Sequence, residues 1–169
     1  MSAAKQRDDA ISLAKLQPKA ALERARRVTD PWFRAQALSW VARFTDGNPV
    51  AIAAEAAKAA SNGKDTYQKC AVRAWDIAAL AERNHIPEAR KNIVELLPIL
   101  KNVEPPCSRC EAYLLVMQAA FKISDKDVKN IYDAMRSYGE PEEHWRCRRA
   151  LRNGAKMIAG ELQPRPFFW

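Results

Sequence analysis

Glycine is scarce in this chain, with 5 copies among 169 residues. No Gly-rich loop of the kind that cradles phosphate is present. Histidine is rarer still, at 2, and neither a Ser-His-Asp set nor a paired-carboxylate setting is legible. Acid–base and nucleophilic catalysis are poorly supplied, so the chain is expected to be no enzyme and to use no cofactor. Strand signals are thin: there is no sustained period-2 alternation and no Asn-Gly pair flanked by strand-like runs. No run of 18 apolar residues exists, so no membrane span is expected. The opening stretch MSAAKQRDDA is polar and lacks the apolar segment of a secretory signal.

What is present favours helix and a packed core. Hydrophobic residues make up 48% and charged residues 28%, ordinary for a globular chain long enough to form one domain. Alanine and charge dominate, and both suit helices. The 4 cysteines, without a secretory signal, point to free thiols in a reducing compartment and hence to the cytoplasm. The net charge of +8 is compatible with nucleic acid, acidic proteins or anionic lipid and requires none of them.

Helix-start signals recur along the chain. Asp30-Pro31 reads as an N-cap followed by an N1 proline, whose missing N–H costs nothing there. Asn48-Pro49 and Ile86-Pro87 occupy similar positions, and Ser124 precedes the acidic turn of Asp125 and Asp127. Gly139 followed by Glu140-Pro141-Glu142-Glu143 marks one helix ending and the next beginning. These signals predict nine helices near 3–15, 18–28, 31–44, 49–61, 66–83, 87–101, 107–122, 125–137 and 142–160. Pro98 should kink the sixth or split off its end. Short loops imply antiparallel neighbours, and QPRPFFW at 163–169 cannot continue a helix.

The helices also repeat. Trp32-Phe33-Arg34-Ala35 aligns with Tyr67-Gln68-Lys69-Cys70, with Cys107-Ser108-Arg109-Cys110 and with His144-Trp145-Arg146-Cys147, at spacings of 35, 40 and 37 residues. The third position is basic and the fourth small in all four. Cys70, Ala74, Ile77 and Ala81 then match Cys110, Leu114, Met117 and Phe121, and Cys147, Leu151, Gly154 and Ile158. Each set follows a 3.6-residue period and marks a buried face; the third helix departs from it at Ser39. A two-helix unit recurring every 35–40 residues is the pattern of an α-solenoid, in which stacking supplies the core. The expected fold is therefore an all-α, right-handed α-solenoid of antiparallel helical hairpins. It occupies 1–163, with units near 1–29, 30–64, 65–104, 105–139 and 140–163, and an aromatic tail follows at 164–169.

The segment DPWFRAQALSWVARF, from Asp30 to Phe44, resembles helical repeats of bacterial proteins in the broad tetratricopeptide-like and HEAT-like group. Asp30, Pro31, Arg34, Ala35, Ala37, Leu38, Val41 and Ala42 carry the resemblance. The other units match only in periodicity, and the tetratricopeptide Trp, Leu-Gly and Tyr signature is absent. The resemblance implies a scaffold that binds partners on a concave surface, without catalysis.

The cysteines admit three readings. In the repeat register Cys70, Cys110 and Cys147 stand where Ala35 stands, as small buried packing residues, and this reading is preferred. The alternative is zinc, because adjacent units would place Cys107 and Cys110 near His144 and Cys147, a Cys3His set. Neighbouring helix axes about 8–10 Å apart weigh against it. The third reading is a redox dithiol at Cys107 and Cys110, with thiolate favoured by the helix start and Arg109.

For function, the preferred reading is a protein–protein interaction scaffold. Trp32, Trp40 and Trp75 are its candidate anchors on the concave face. The runner-up is nucleic-acid binding through the last helix, where Trp145, Arg149, Arg152 and Lys156 follow helical spacing and combine an aromatic with phosphate-binding cations. The tail aromatics are expected to dock within the molecule or to drive self-association.

Overall fold

The computed structural model describes residues 1–168; Trp169, the last residue of the expected tail, lies outside the described residues. The chain is all-α, with no strand among the described residues. The helices are α1 (Ala3–Ile11), α2 (Pro18–Arg26), α3 (Pro31–Phe44), α4 (Pro49–Ala60), α5 (Thr66–Ala71), α6 (Arg73–Glu82), α7 (Ile86–Leu100), α8 (Pro106–Ala120), α9 (Asp125–Gly139) and α10 (Trp145–Ile158). None is long and apolar enough to cross a membrane among the described residues.

Local chemistry explains most of the starts. Asp30 Oδ1 accepts from the amides of Trp32 (2.9 Å) and Phe33 (3.3 Å), and Asn48 Oδ1 accepts from Val50 and Ala51. Each cap fills two of the four orphan donors at a helix start. Proline follows at the first or second helical position in α2, α3, α4 and α7. Ser124 Oγ caps α9 through the Asp127 amide.

Four expectations about the helices are corrected. The continuous helix over 66–83 is two, α5 and α6, parted at Val72. There the Val72 amide reaches back to Gln68 only at 3.5 Å, while the Trp75 amide bonds Val72 three residues back. Of the two outcomes expected at Pro98, a kink or a split, the split does not occur: α7 continues to Leu100, and so near the helix end little of the hydrogen-bond ladder is lost. The first helix ends at Ile11 rather than 15, where the Ser12 hydroxyl donates to the Asp9 carbonyl and competes with the helical ladder. In α10 the buried set is Cys147, Ala150, Gly154 and Met157. Leu151 is half-buried and Ile158 exposed, so its buried stripe is turned from the expected one.

α1, α3, α6, α8 and α10 pack in series, and α2, α4, α7 and α9 pack against their neighbours in the chain. In α3 every residue from Ala35 to Ala42 is buried, and in α6 every residue from Ala74 to Ala81. These two sit mid-row and have neighbours on several sides. Ser39, at the irregular position of α3, is buried and its hydroxyl donates to the Ala35 carbonyl at 2.8 Å. The basic residue shared by the repeats has a matching job in two of them. Arg34 Nε donates to the Val28 carbonyl at 2.7 Å, and Arg109 Nε donates to Val103 at 2.9 Å. Each guanidinium ties a helix start to the buried valine before it.

Candidate functional site

The site begins where α10 ends. Gly160 has φ +76°, the left-handed region that glycine enters without penalty. The Glu161 amide bonds the Lys156 carbonyl at 2.8 Å and the Gly160 amide bonds Met157 at 3.1 Å. This paired closure stops the helix and redirects the chain. The segment 164–168 then crosses α8, α6 and α3 in turn.

Its contacts are specific. The Arg165 amide donates to Gln118 Oε1 of α8 at 2.8 Å. The Arg165 guanidinium lies 5.4 Å from the Trp75 ring centroid. Phe167 meets Trp75 edge to face, with centroids 5.2 Å apart, and Phe168 meets Trp40 in the same way at 5.2 Å. Phe167 is 1% exposed and Phe168 7%. Edge-to-face pairs add about 0.5–1.5 kcal/mol beyond area burial. The expectation of docking within the molecule therefore holds for the described part of the tail.

The seat is held from behind. Trp32, half-buried, packs edge to face against Trp75 at 6.0 Å and stacks with Tyr67 at 6.2 Å. Arg43 lies 4.8 Å over the Phe168 ring. Glu82 of α6 pairs with Arg43 and also with Lys122 at 2.7 Å, so one carboxylate fixes the cation. Trp75 stands on a helix stiffened by a buried ion pair. Arg73 Nε and Nη2 reach the two oxygens of Asp76 at 2.8 and 3.2 Å, and Asn92 Nδ2 adds a third bond at 3.0 Å. Burial raises the Asp76 carboxyl above the usual range, and the Arg73 guanidinium opposes that rise. Of the three candidate anchors, Trp32 meets Trp75, while Trp40 and Trp75 meet Phe168 and Phe167 of the chain's own tail. Gln118, Arg43 and Glu82 were not singled out from sequence. Arg43 follows Trp40 by three residues, a one-turn spacing that could have signalled it.

The basic face of α10 is separate. Trp145 is 62% exposed, with the Arg149 guanidinium 4.9 Å from its ring and His144 stacked beside it. Glu111 of α8 pairs with both Arg146 and Arg149, which neutralises part of this charge. Arg152 and Lys156 are exposed and form no ion pair among the described residues.

All four cysteines are buried free thiols. Ala35, Cys70, Cys110 and Cys147 are each 1% exposed or less, which fits the packing reading. Among the described residues no group of three or more potential ligands could hold a metal. The set Cys107, Cys110, His144 and Cys147 is not such a group; His144 caps α10, its Nδ1 accepting from the Arg146 amide. The dithiol reading fails on charge. Burial, with a hydrogen bond that the Cys110 thiol donates to Cys147, pushes the Cys110 thiol up to about 12, opposite to what a reactive thiolate needs.

The fold and the site together define an all-helical protein with an extended aromatic segment seated across three of its helices. Compared with protein-family models, curated proteins and solved structures, the chain matches none.

Proposed function

We propose that this chain is a non-catalytic protein–protein interaction scaffold of the α-solenoid type, acting in the cytoplasm, and that it binds an extended polypeptide across α3, α6 and α8. The observation that carries this reading is the seat of Phe167 and Phe168 on Trp75 and Trp40. It has the parts of a peptide site: aromatic pockets for side chains and the Gln118 amide oxygen for a backbone N–H. A chain ending at residue 163 should bind a labelled peptide of sequence PRPFFW saturably, and Trp75→Ala should abolish that binding while leaving the helical circular-dichroism signal in place. Absence of binding to the folded truncated chain would remove the reading.

The second reading is nucleic-acid binding through α10. Exposed Trp145 on the same helix as Arg152 and Lys156, which form no ion pair among the described residues, favours it. Affinity for a single-stranded oligonucleotide should then fall steeply with salt. An Arg149→Glu/Arg152→Glu chain that binds as well as the parent would eliminate this reading.

A further inference from the structure

Trp145, Arg148, Arg149, Arg152 and Lys156 are all exposed. With 3.6 residues per turn, they fall within an arc of about 100° on α10. The buried residues Cys147, Ala150, Gly154 and Met157 lie on the opposite side. From Trp145 to Lys156 the stripe runs roughly 16 Å along the helix. α10 holds no Asp or Glu. Glu111 of α8 pairs with Arg146 and Arg149, whereas Arg148, Arg152 and Lys156 form no ion pair among the described residues. Arg148 with Arg152, and Arg152 with Lys156, are like-charge pairs four residues apart, a spacing that weakens a helix. A bound polyanion would relieve both.

The aromatic stands at the start of this stripe. Trp145 is 62% exposed even with the Arg149 guanidinium 4.9 Å from its ring centroid and His144 stacked at 6.1 Å. Glu111 reaches Arg149 at 3.0 Å, so that guanidinium is held beside the indole. A ring with open surface, next to a row of uncompensated cations, offers both parts of a single-strand site: stacking for a base and charge for the backbone.

Other occupants fit the stripe less well. A second copy docked α10 against α10 would bring like charges together. A lipid surface takes helices whose apolar side chains enter the acyl boundary beside the cations. On this arc of α10 Trp145 alone is apolar, and the exposed Ile158 lies well outside it. In a duplex the bases stack on one another and show the grooves their edges, which leaves the indole without a partner.

We propose that α10 binds single-stranded nucleic acid, with phosphates on Arg148, Arg152 and Lys156 and a base stacked on Trp145. This rests on the nucleic-acid reading of α10 and narrows it. Charge alone would accept any polyanion, and the indole adds a preference for unpaired bases.

Three fluorescein-labelled probes of about 12 nucleotides, within the usual range of single-strand sites, test this on the full chain: an oligothymidylate, the same backbone with abasic sugars, and a duplex. The oligothymidylate should bind roughly tenfold more tightly than the abasic strand, the gain expected of one stacked base. Trp145→Ala should remove that preference and leave the abasic strand's affinity unchanged. Arg148→Gln/Arg152→Gln/Lys156→Gln should weaken both strands alike and flatten the salt dependence by about 2 in logarithmic slope. These side chains are exposed, and circular dichroism checks that each variant keeps its helices. Equal affinity for the oligothymidylate and the abasic strand, or for the duplex and the oligothymidylate, overturns this inference and leaves the nucleic-acid reading standing. No binding of any probe by the folded chain at low salt overturns both. Unchanged binding by the triple variant places the site elsewhere and overturns both as well. Polyglutamate or anionic vesicles that compete as well as the oligothymidylate would put an acidic polypeptide or a lipid surface in the strand's place.

Discussion

Gly139 presses its bare α-carbon against Cys110: a β-carbon placed there would lie 2.9 Å from the Cys110 sulfur. The contact joins the end of α9 to the start of α8 and leaves no room for a methyl group. The same β-carbon would lie 3.3 Å from Leu151 Cδ1. Gly139→Ala should therefore destabilise by about 1–3 kcal/mol, the usual cost of overpacking. Cys110→Ala should relieve the clash. The double variant should be more stable in urea than the sum of the two single losses allows, and strict additivity would show that the contact is not the cause.

The buried pair in α6 gives a second expectation. Asp76→Ala leaves the Arg73 guanidinium buried without its carboxylate and should cost about 3–5 kcal/mol. Replacing both, as Arg73→Met/Asp76→Leu, should recover most of that loss. Denaturant midpoints of the two variants measure it directly.

Gly160 tests the route into the groove. Open space surrounds its missing β-carbon, so Gly160→Ala is strained only through its positive φ. The expected cost is about 1 kcal/mol. Hydrogen exchange at Arg165 should speed up with it, because the same turn aims the tail.

Acid should weaken the fold partly through Asp127. A hydrogen bond from Arg90 holds its carboxyl below the usual range, and Ser124 donates a further one. A depressed folded value stabilises the protein above the unfolded carboxylate pKa of about 3.9. That contribution is lost as pH falls through the lower folded value. Between pH 5 and pH 2 the parent should lose more stability than Asp127→Asn, as read by unfolding curves at each pH.

The thiols should be silent in the folded chain. Burial raises Cys70 to about 11 as well as Cys110 to about 12, so a thiol reagent at neutral pH should react only as the protein opens. Four thiols should titrate after unfolding, and a chelator should leave the melting temperature unchanged. A zinc ion retained through purification would contradict the packing role.

Much of the helical framework was legible because its signals are local. Asp30 and Asn48 cap the helices that Pro31 and Pro49 begin, and each works through atoms two or three residues away. The Ala35, Cys70, Cys110 and Cys147 series was legible because burial repeats at the helical period. The break at Val72 was not. No glycine or proline marks it. It falls between α5, which packs on α7 and α8, and α6, which packs on those two and also on α3 and α4, so the added contacts come from neighbours earlier in the chain.

The candidate site divides in the same way. Sequence alone determined that 163–169 could not be helix, because two prolines interrupt it, and that its aromatics needed cover from water. It also singled out Trp32, Trp40 and Trp75 as candidate anchors, because large aromatics on helices that pack in a row are natural contact residues. Only the tertiary structure decided that the two meet. Gln118, Trp75 and Trp40 come from three helices that the sequence separates, and their spacing across the row is set by side-chain packing. A segment 47 residues from Gln118 finds its hydrogen-bond acceptor there because the turn at Gly160 points the chain back across the row. That direction is a property of the whole stack, which no local pattern encodes.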